Sequence, residues 1–320
     1  MIQSFHKIYF FLLMILLAGC QIQSIFTPTP PLHTFITPRP LPTLPPTLTT
    51  QAIQLAPTVT VMPSPTATPT PTSRPTLEWV GESVQGRAIV VHRYGNGDKR
   101  ILLVGGIHGG TEANTVTLMQ ALRAHFEAHP TDVLPDVELS IIEVMNPDGY
   151  ALGNVNDGRF NARRVDLNRN WSCEWAERAY WGDQVVSAGE MPFSEPETRA
   201  VAQFIQAQSF ALVLFYHSAA DGIFAGDCDT RSGEWLSGEM VAVYGEASAY
   251  PYQQPFTAYR VSGTAANWVD GLGIPSADVE LTNKRDIEFE RNLQAIVAVQ
   301  CWLADEHTKI YHLCTSSYSR

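Results

Sequence analysis

Two imidazoles and two carboxylates end, or lie within, apolar runs of this 320-residue chain. His108 follows the run 100–107 and precedes Glu112, His217 follows the run 210–216, and Glu280 lies in the run 276–281. Buried strands have no packing reason to end repeatedly in titratable groups. Two histidines and a glutamate, with water in the fourth position, are a ligand set of catalytic zinc, and a further carboxylate beside them can act as general base. Each residue also has a plainer role. Glu112 can complement a helix N-terminus, His217 can be a hydrogen-bonded core histidine, and Glu280 can be an ion-pair partner. Their recurrence at strand ends argues for one site.

Such a site needs elements that bring distant residues together. The runs at 88–92, 100–107, 137–144, 210–216 and 276–281 read as strands, and those at 100–107 and 210–216 as buried ones. Helical spacing recurs at 112–129, stopped by Pro130, at 195–208 and at 286–304. Strands alternating with helices predict an α/β domain with a largely parallel sheet, whose ligands bind beyond the carboxyl ends of the strands. His108 and His217 stand at such ends.

Residues 159–171 read RFNARRVDLNRNW. The run Asp166-Leu167-Asn168-Arg169-Asn170-Trp171 resembles the signature of the zinc metallocarboxypeptidases, the carboxypeptidase A/B-like family. The other motifs follow in the same order: Gly105-Gly106-Ile107-His108 with Glu112, Asn146-Pro147-Asp148-Gly149, Ser194-Glu195-Pro196-Glu197, His217-Ser218, Tyr259 before Ser262-Gly263, and Val279-Glu280-Leu281. The resemblance covers about residues 77–304. It implies a three-layer α/β/α fold with a mixed, largely parallel central sheet, and a carboxypeptidase that uses Zn2+. On that resemblance His108, Glu112 and His217 would bind the metal, and Asp166 would hold the other ring nitrogen of His108. Glu280 would be the general base, Arg159 would stabilise the oxyanion, and Asn168 and Arg169 would clamp the substrate's terminal carboxylate. Tyr259 would cap the bound end. Arg163 and Arg164 compete with Arg159, which the spacing to Asn168 favours. Ala266 stands where the family's side-chain pocket has its deciding residue, and implies a roomy, uncharged pocket for apolar or aromatic ends. One departure is plain. Three residues separate His108 from Glu112 where the family has two, and Gly109 and Gly110 leave the backbone free to bulge.

The N-terminal part of the chain is of another kind. Lys7 precedes an apolar run over 8–19, which at about 1.5 Å per residue is too short for a bilayer core of roughly 30 Å. Residues 1–20 read as a lipoprotein signal peptide, ending in Leu17-Ala18-Gly19-Cys20, which resembles the lipobox of bacterial lipoproteins with Cys20 as the lipidated residue. Of the 22 prolines, 14 fall between positions 28 and 75, among 15 threonines over 27–76. Residues 21–76 are therefore expected to form a disordered stalk, and residues 77–320 the catalytic domain. Cys173, Cys228, Cys301 and Cys314 are an even set suited to two disulfides outside the cytoplasm. Three pairings are open, and Cys173–Cys228 with Cys301–Cys314 is the expected one. The first 77 residues hold no acidic side chain, so residues 78–320 carry 18 Lys and Arg against 32 Asp and Glu. So acidic a domain is poorly suited to nucleic acid. Asp221, Asp227 and Asp229 match no calcium loop and read as solvated carboxylates. The expected protein is a monomer tethered to the membrane of the cell envelope, acting on peptides with a free C-terminus. A cell-wall (murein) peptide amidase or an amino-acid deacylase would keep the fold and metal. An inactive peptide-binding module would keep the groove, and the presence of Glu280 and Arg159 argues against it.

Overall fold

The apolar residues of KRILLV and nearly every side chain of FALVLFYHS are buried, on both faces, and so belong in the middle of a sheet covered on both sides. The computed structural model describes residues 76–228, 236–252, 256, 258–304 and 314, and places both segments there. The signal segment 1–20 with Cys20, and the 21–76 stalk up to residue 75, lie outside the described residues.

In chain order the elements are β1 (Thr76–Glu82), β2 (Ala88–Gly95), β3 (Lys99–Val104), α1 (Ala113–Ala128), β4 (Val137–Ile142) and a short α2 (Pro147–Ala151). The hairpin of β5 (Arg178–Trp181) and β6 (Gln184–Ser187) precedes α3 (Pro196–Ala207), β7 (Phe210–Ser218) and β8 (Gly222–Ala225). The chain continues through α4 (Leu236–Ser248), α5 (Ala265–Asp270), β9 (Ser276–Leu281) and α6 (Phe289–Leu303). The main sheet runs β1-β2-β4-β3-β7-β9-β8. Its middle strands β4, β3, β7 and β9 are parallel, and β1, β2 and β8 add antiparallel edges. The central sheet is thus mixed, with its parallel part in the middle.

Side-chain alternation divides the core into two layers. Leu103, Leu139, Leu214 and Val279 pack with Leu122 of α1, Tyr244 of α4 and Ile296 of α6. Leu102, Val104, Val213 and Phe215 pack with Ile205 of α3 and Trp268 of α5. In β9 the alternation sends Ala277, Val279 and Leu281 into the first layer, leaving Ser276, Asp278 and Glu280 on the opposite face.

The strand expected over 100–107 stops at Val104, because Gly105 and Gly106, the latter at φ +64°, turn the chain toward His108. The expected helix 112–129 starts one residue later, after a 3-10 turn over Gly109–Glu112. The carboxyl ends of β3, β7 and β9 lie along one edge of the sheet, with Val104 paired to Phe215 and His217 to Glu280. Cys173 is bonded to Cys228, and Cys301 to Cys314.

Candidate active site

The 3-10 turn after β3 is built on glycine. Gly109 has φ +45°, and a Cβ there would lie 2.5 Å from Gly158 O; a Cβ on Gly110 would lie 2.0 Å from Gly153 O. Only residues without a side chain pack so closely, and this turn takes up the additional residue between His108 and Glu112. It returns the Glu112 carboxylate to His108, with Oε1 2.9 Å from Nδ1. His217 of β7 places its own Nδ1 3.2 Å from His108 Nδ1 and 3.3 Å from Glu112 Oε2. Ligand atoms held at zinc–nitrogen distance in a tetrahedron stand about 3.3 Å apart. The three buried donors match that spacing, lie within 4.8 Å of one another and leave a fourth position to a small ligand. The donor set therefore fits zinc.

Asp166 supports this group from behind. Its Oδ1 lies 3.2 Å from His108 Nε2, the nitrogen turned away from the triad, and accepts from Asn168 N–H at 3.0 Å. Its Oδ2 accepts from Arg159 Nε at 2.8 Å. Arg159 is buried, with Nη1 3.4 Å from Glu112 Oε1 and its guanidinium 4.7 Å over the Trp181 ring. Arg163 and Arg164 are exposed and pair with Glu195 and Asp157 instead. The flanking motifs hold this loop. Asn146 donates to Arg159 O at 3.3 Å, and Asn161 donates to Glu195 and Glu197 at 2.7 and 3.1 Å. Trp171 is fully buried against Trp268 and Phe215.

The electrostatics follow from burial and charge. Burial pushes the Glu280 carboxyl up to about 7; His217 opposes this, and Glu112 and Asp278 add to it. Its Oε2 accepts from Ala220 N–H at 3.1 Å. Burial works against the charge of Glu112 and Asp166 as well. Yet His108 and His217 hold Glu112, and Arg159 and Arg169 hold Asp166, well below the usual carboxylate range. For His217 burial is outweighed by the negative charges of Asp278 and Glu112, which raise it well above its ordinary value. A divalent cation among these groups would displace the His217 proton and draw Glu280 down.

Two cavities meet at this edge. The larger, about 420 Å³, is lined by His108, His217, Asn168, Arg169, Tyr259 and Glu280 among others. The smaller, about 290 Å³, adds Glu112, Trp181 and Lys284, and shares His108, Arg159, Tyr259 and Glu280 with the first. Asn168 is fixed by Ala265 N–H, which donates to its Oδ1 at 2.8 Å. Arg169 donates through Nε to Tyr180 O at 3.0 Å, and its guanidinium lies 6.0 Å from the Tyr259 ring. Ala266 is the residue that does not join them. It is 1% exposed and packs into the α3 and α5 layer, while its neighbours Thr264 and Asn267 line the larger cavity. Nor is that cavity uncharged, as Ala266 had implied: Asp278, Asp227 and Glu174 are in its wall. Asp278 escaped the sequence reading although its position two residues before Glu280 put both on one face of a strand.

Comparisons with known proteins extend this geometry. The family model described as zinc carboxypeptidase matches residues 70–297. Murein peptide amidase A of Escherichia coli K12 is 33% identical over 216 residues, covering 63% of this chain and 79% of that protein. Carboxypeptidase B of Astacus astacus is 32% identical over 163 residues, covering 45% of this chain and 54% of that protein. Among solved structures, murein-tripeptide amidase from Escherichia coli O157 is similar with a TM-score of 0.54 at 24% identity, covering 72% of this chain and 94% of that one. Carboxypeptidase A from Helicoverpa armigera is similar with a TM-score of 0.59 at 20% identity, covering 71% and 68%. At these identities the two structures speak for the shared fold.

Proposed function

The chain belongs to the zinc carboxypeptidase family of hydrolases, and from that premise we propose that it is a zinc-dependent carboxypeptidase removing C-terminal residues from peptides outside the cytoplasm. The observation that carries this reading is the placing of the two cavities. The triad and Glu280 stand where the cavities meet, and Asn168 and Arg169 open into the larger one alone. A peptide bond one residue from a free carboxylate suits that layout.

Bound at His108, Glu112 and His217, zinc would supply a Lewis acid and a readily ionised water. Glu280 would take a proton from the attacking water and hand it to the departing amine. Arg159, oriented by Asp166, would stabilise the charge that grows on the carbonyl oxygen. Asn168 and the Arg169 guanidinium would hold the terminal carboxylate, and Tyr259 would close over it. The test is zinc content together with hydrolysis of N-blocked dipeptides, for wild type and Glu280→Gln. Zinc is expected in both proteins, with turnover in the variant lower by about 10²–10⁴-fold. Near-normal turnover in the variant would remove Glu280 as the base.

A murein peptide amidase is the second reading, favoured by the 33% identity to murein peptide amidase A. Hydrolysis of a murein tripeptide by a protein that leaves every blocked dipeptide intact would select it. The reading also includes a monomer exported and anchored through lipid on Cys20. Support comes from the two disulfides of the domain, a feature of proteins in oxidising compartments. Cys20→Ala is expected to move the protein from the membrane fraction to the soluble one.

A further inference from the structure

We propose that the larger cavity selects a C-terminal residue whose side chain ends in a positive charge, an ammonium or a guanidinium, and that Asp278 is the specificity-determining residue. The proposal rests on the carboxypeptidase reading, because it takes this cavity as the place of the departing residue's side chain.

The cavity is lined by charges of both signs. Arg159 and Arg169 are the only Lys or Arg among its described lining residues, and both belong to the triad and clamp end. Of its four carboxylates, Glu280 is the assigned base; Asp278 is on the same strand, and Asp227 and Glu174 come from other segments. Asp278 lies on the Glu280 face of β9, in register with Phe215 on one side and Phe224 on the other. Its Oδ1 is enclosed, and the cation nearest to it is His217 Nε2 at 3.3 Å, on a histidine that would be neutral once it ligates a metal. Its side chain is nevertheless 21% exposed and lines the cavity. Asp227 and Glu174 are held at the same cavity by a covalent bond, since the Cys173–Cys228 disulfide joins their chain neighbours. Phe224 in the same wall offers apolar surface to an aliphatic stem.

A residue with a carboxylate at one end and a cation on a long stem complements this layout at both ends. A neutral side chain of the same length would shield Asp278 from water without giving it a counter-charge, which is unfavourable. An acidic side chain would meet three like charges. Lysine, arginine and the diamino acids of cell-wall peptides share the required chemistry.

The test uses the zinc-loaded Glu280→Gln protein, titrated by calorimetry with blocked dipeptides ending in lysine, norleucine or glutamate, and with a murein tripeptide ending in a diamino acid. The lysine peptide is expected to bind about tenfold more tightly than its norleucine isostere, with the glutamate peptide weakest and the preference shrinking as salt is added. Adding Asp278→Asn is expected to bring lysine and norleucine within about twofold of each other. Because Asp278 also faces a metal ligand, zinc content is measured alongside, and Asp227→Asn, away from the triad, is expected to reduce the same ratio. Equal binding of lysine and norleucine peptides by the parent protein overturns the proposal; cleavage of both by the wild type would then leave the carboxypeptidase reading standing. If neither dipeptide binds and the diamino murein peptide alone is bound, and is cleaved by the wild type, the carboxypeptidase reading gives way to the amidase and the proposal falls with it. A ratio unchanged in both variants overturns the assignment of Asp278.

Discussion

Asp166 serves two partners from one carboxylate, and its two oxygens divide the work. Oδ1 faces His108 Nε2 at 3.2 Å while Oδ2 accepts from Arg159 Nε at 2.8 Å. Fixing the outer nitrogen of a ligand histidine presents the inner one in the right tautomer, and losing such a partner weakens metal binding by about 10–100-fold. Asp166→Asn is also expected to leave Arg159 with Glu112 as its remaining carboxylate partner, at a cost of about 1–3 kcal/mol. Zinc competition with a chelator and a denaturant curve read the two effects separately; an unchanged zinc affinity would remove Asp166 from the metal site. His217 makes a second expectation, about protons. Burial lowers its pKa, but Asp278 and Glu112 outweigh burial and raise it well above the ordinary value, which favours the proton in the metal-free protein. The bonus this gives the metal-free fold is fully present below pH 6.5 and is lost as pH rises through the raised value. Zinc must displace the proton, so loading at pH 7 should release it and affinity should rise with pH. Titrations in two buffers of different ionisation enthalpy would then give different apparent heats; identical heats would show that His217 is already neutral.

The disulfides show how elements, rather than single residues, divide stability from function. Cys301 and Cys314 are 13 residues apart, and Cys301 packs against the layer of α1, α4 and α6, away from the cavities. Cys314→Ser is expected to lower stability by about 2–3 kcal/mol and leave KM unchanged. Cys173→Ser frees the segments that carry Glu174 and Asp227, so KM should rise as well as stability fall. Denaturant midpoints set beside KM for one dipeptide distinguish the two, and a KM unmoved by Cys173→Ser would detach that bridge from the cavity. The same division governs what the sequence disclosed. The strands β3, β7 and β9 were legible because their burial depends on runs of apolar residues, whereas the bend after β3 reads as strand through Gly105 and Gly106. The hairpin of β5 and β6, the four-residue β8 and the six-residue α5 were not, since each is short and held by tertiary pairing rather than by its own pattern. The triad residues stood out because charge at the end of an apolar strand is unexpected. Ala266 misled because helix phase decides which residues of α5 face the cavity, and phase in so short a helix is not written in composition.

At the scale of the whole molecule, the excess of acid in residues 78–320 and the charge of the larger cavity have the same sign. That span carries 18 Lys and Arg against 32 Asp and Glu, and the cavity wall adds Asp278, Asp227 and Glu174 close to a site that needs a zinc cation. A field of one sign over an open cleft raises the local concentration of oppositely charged ligands and their association rate. Salt acts on that field before it acts on contacts, since the screening length falls from about 30 Å at 0.01 M to about 3 Å at 1 M. For a lysine-ended peptide, kcat/KM should fall several-fold from low to high salt while kcat stays within about twofold, because the chemical step takes place after the charges have met. A norleucine-ended peptide should show a much smaller salt effect on kcat/KM. Stopped-flow binding to the zinc-loaded Glu280→Gln protein assigns the change, which should lie mostly in the association rate for steering at a distance. A change confined to the dissociation rate would place the whole effect in the Asp278 contact and leave the acidic surface with no part in substrate capture.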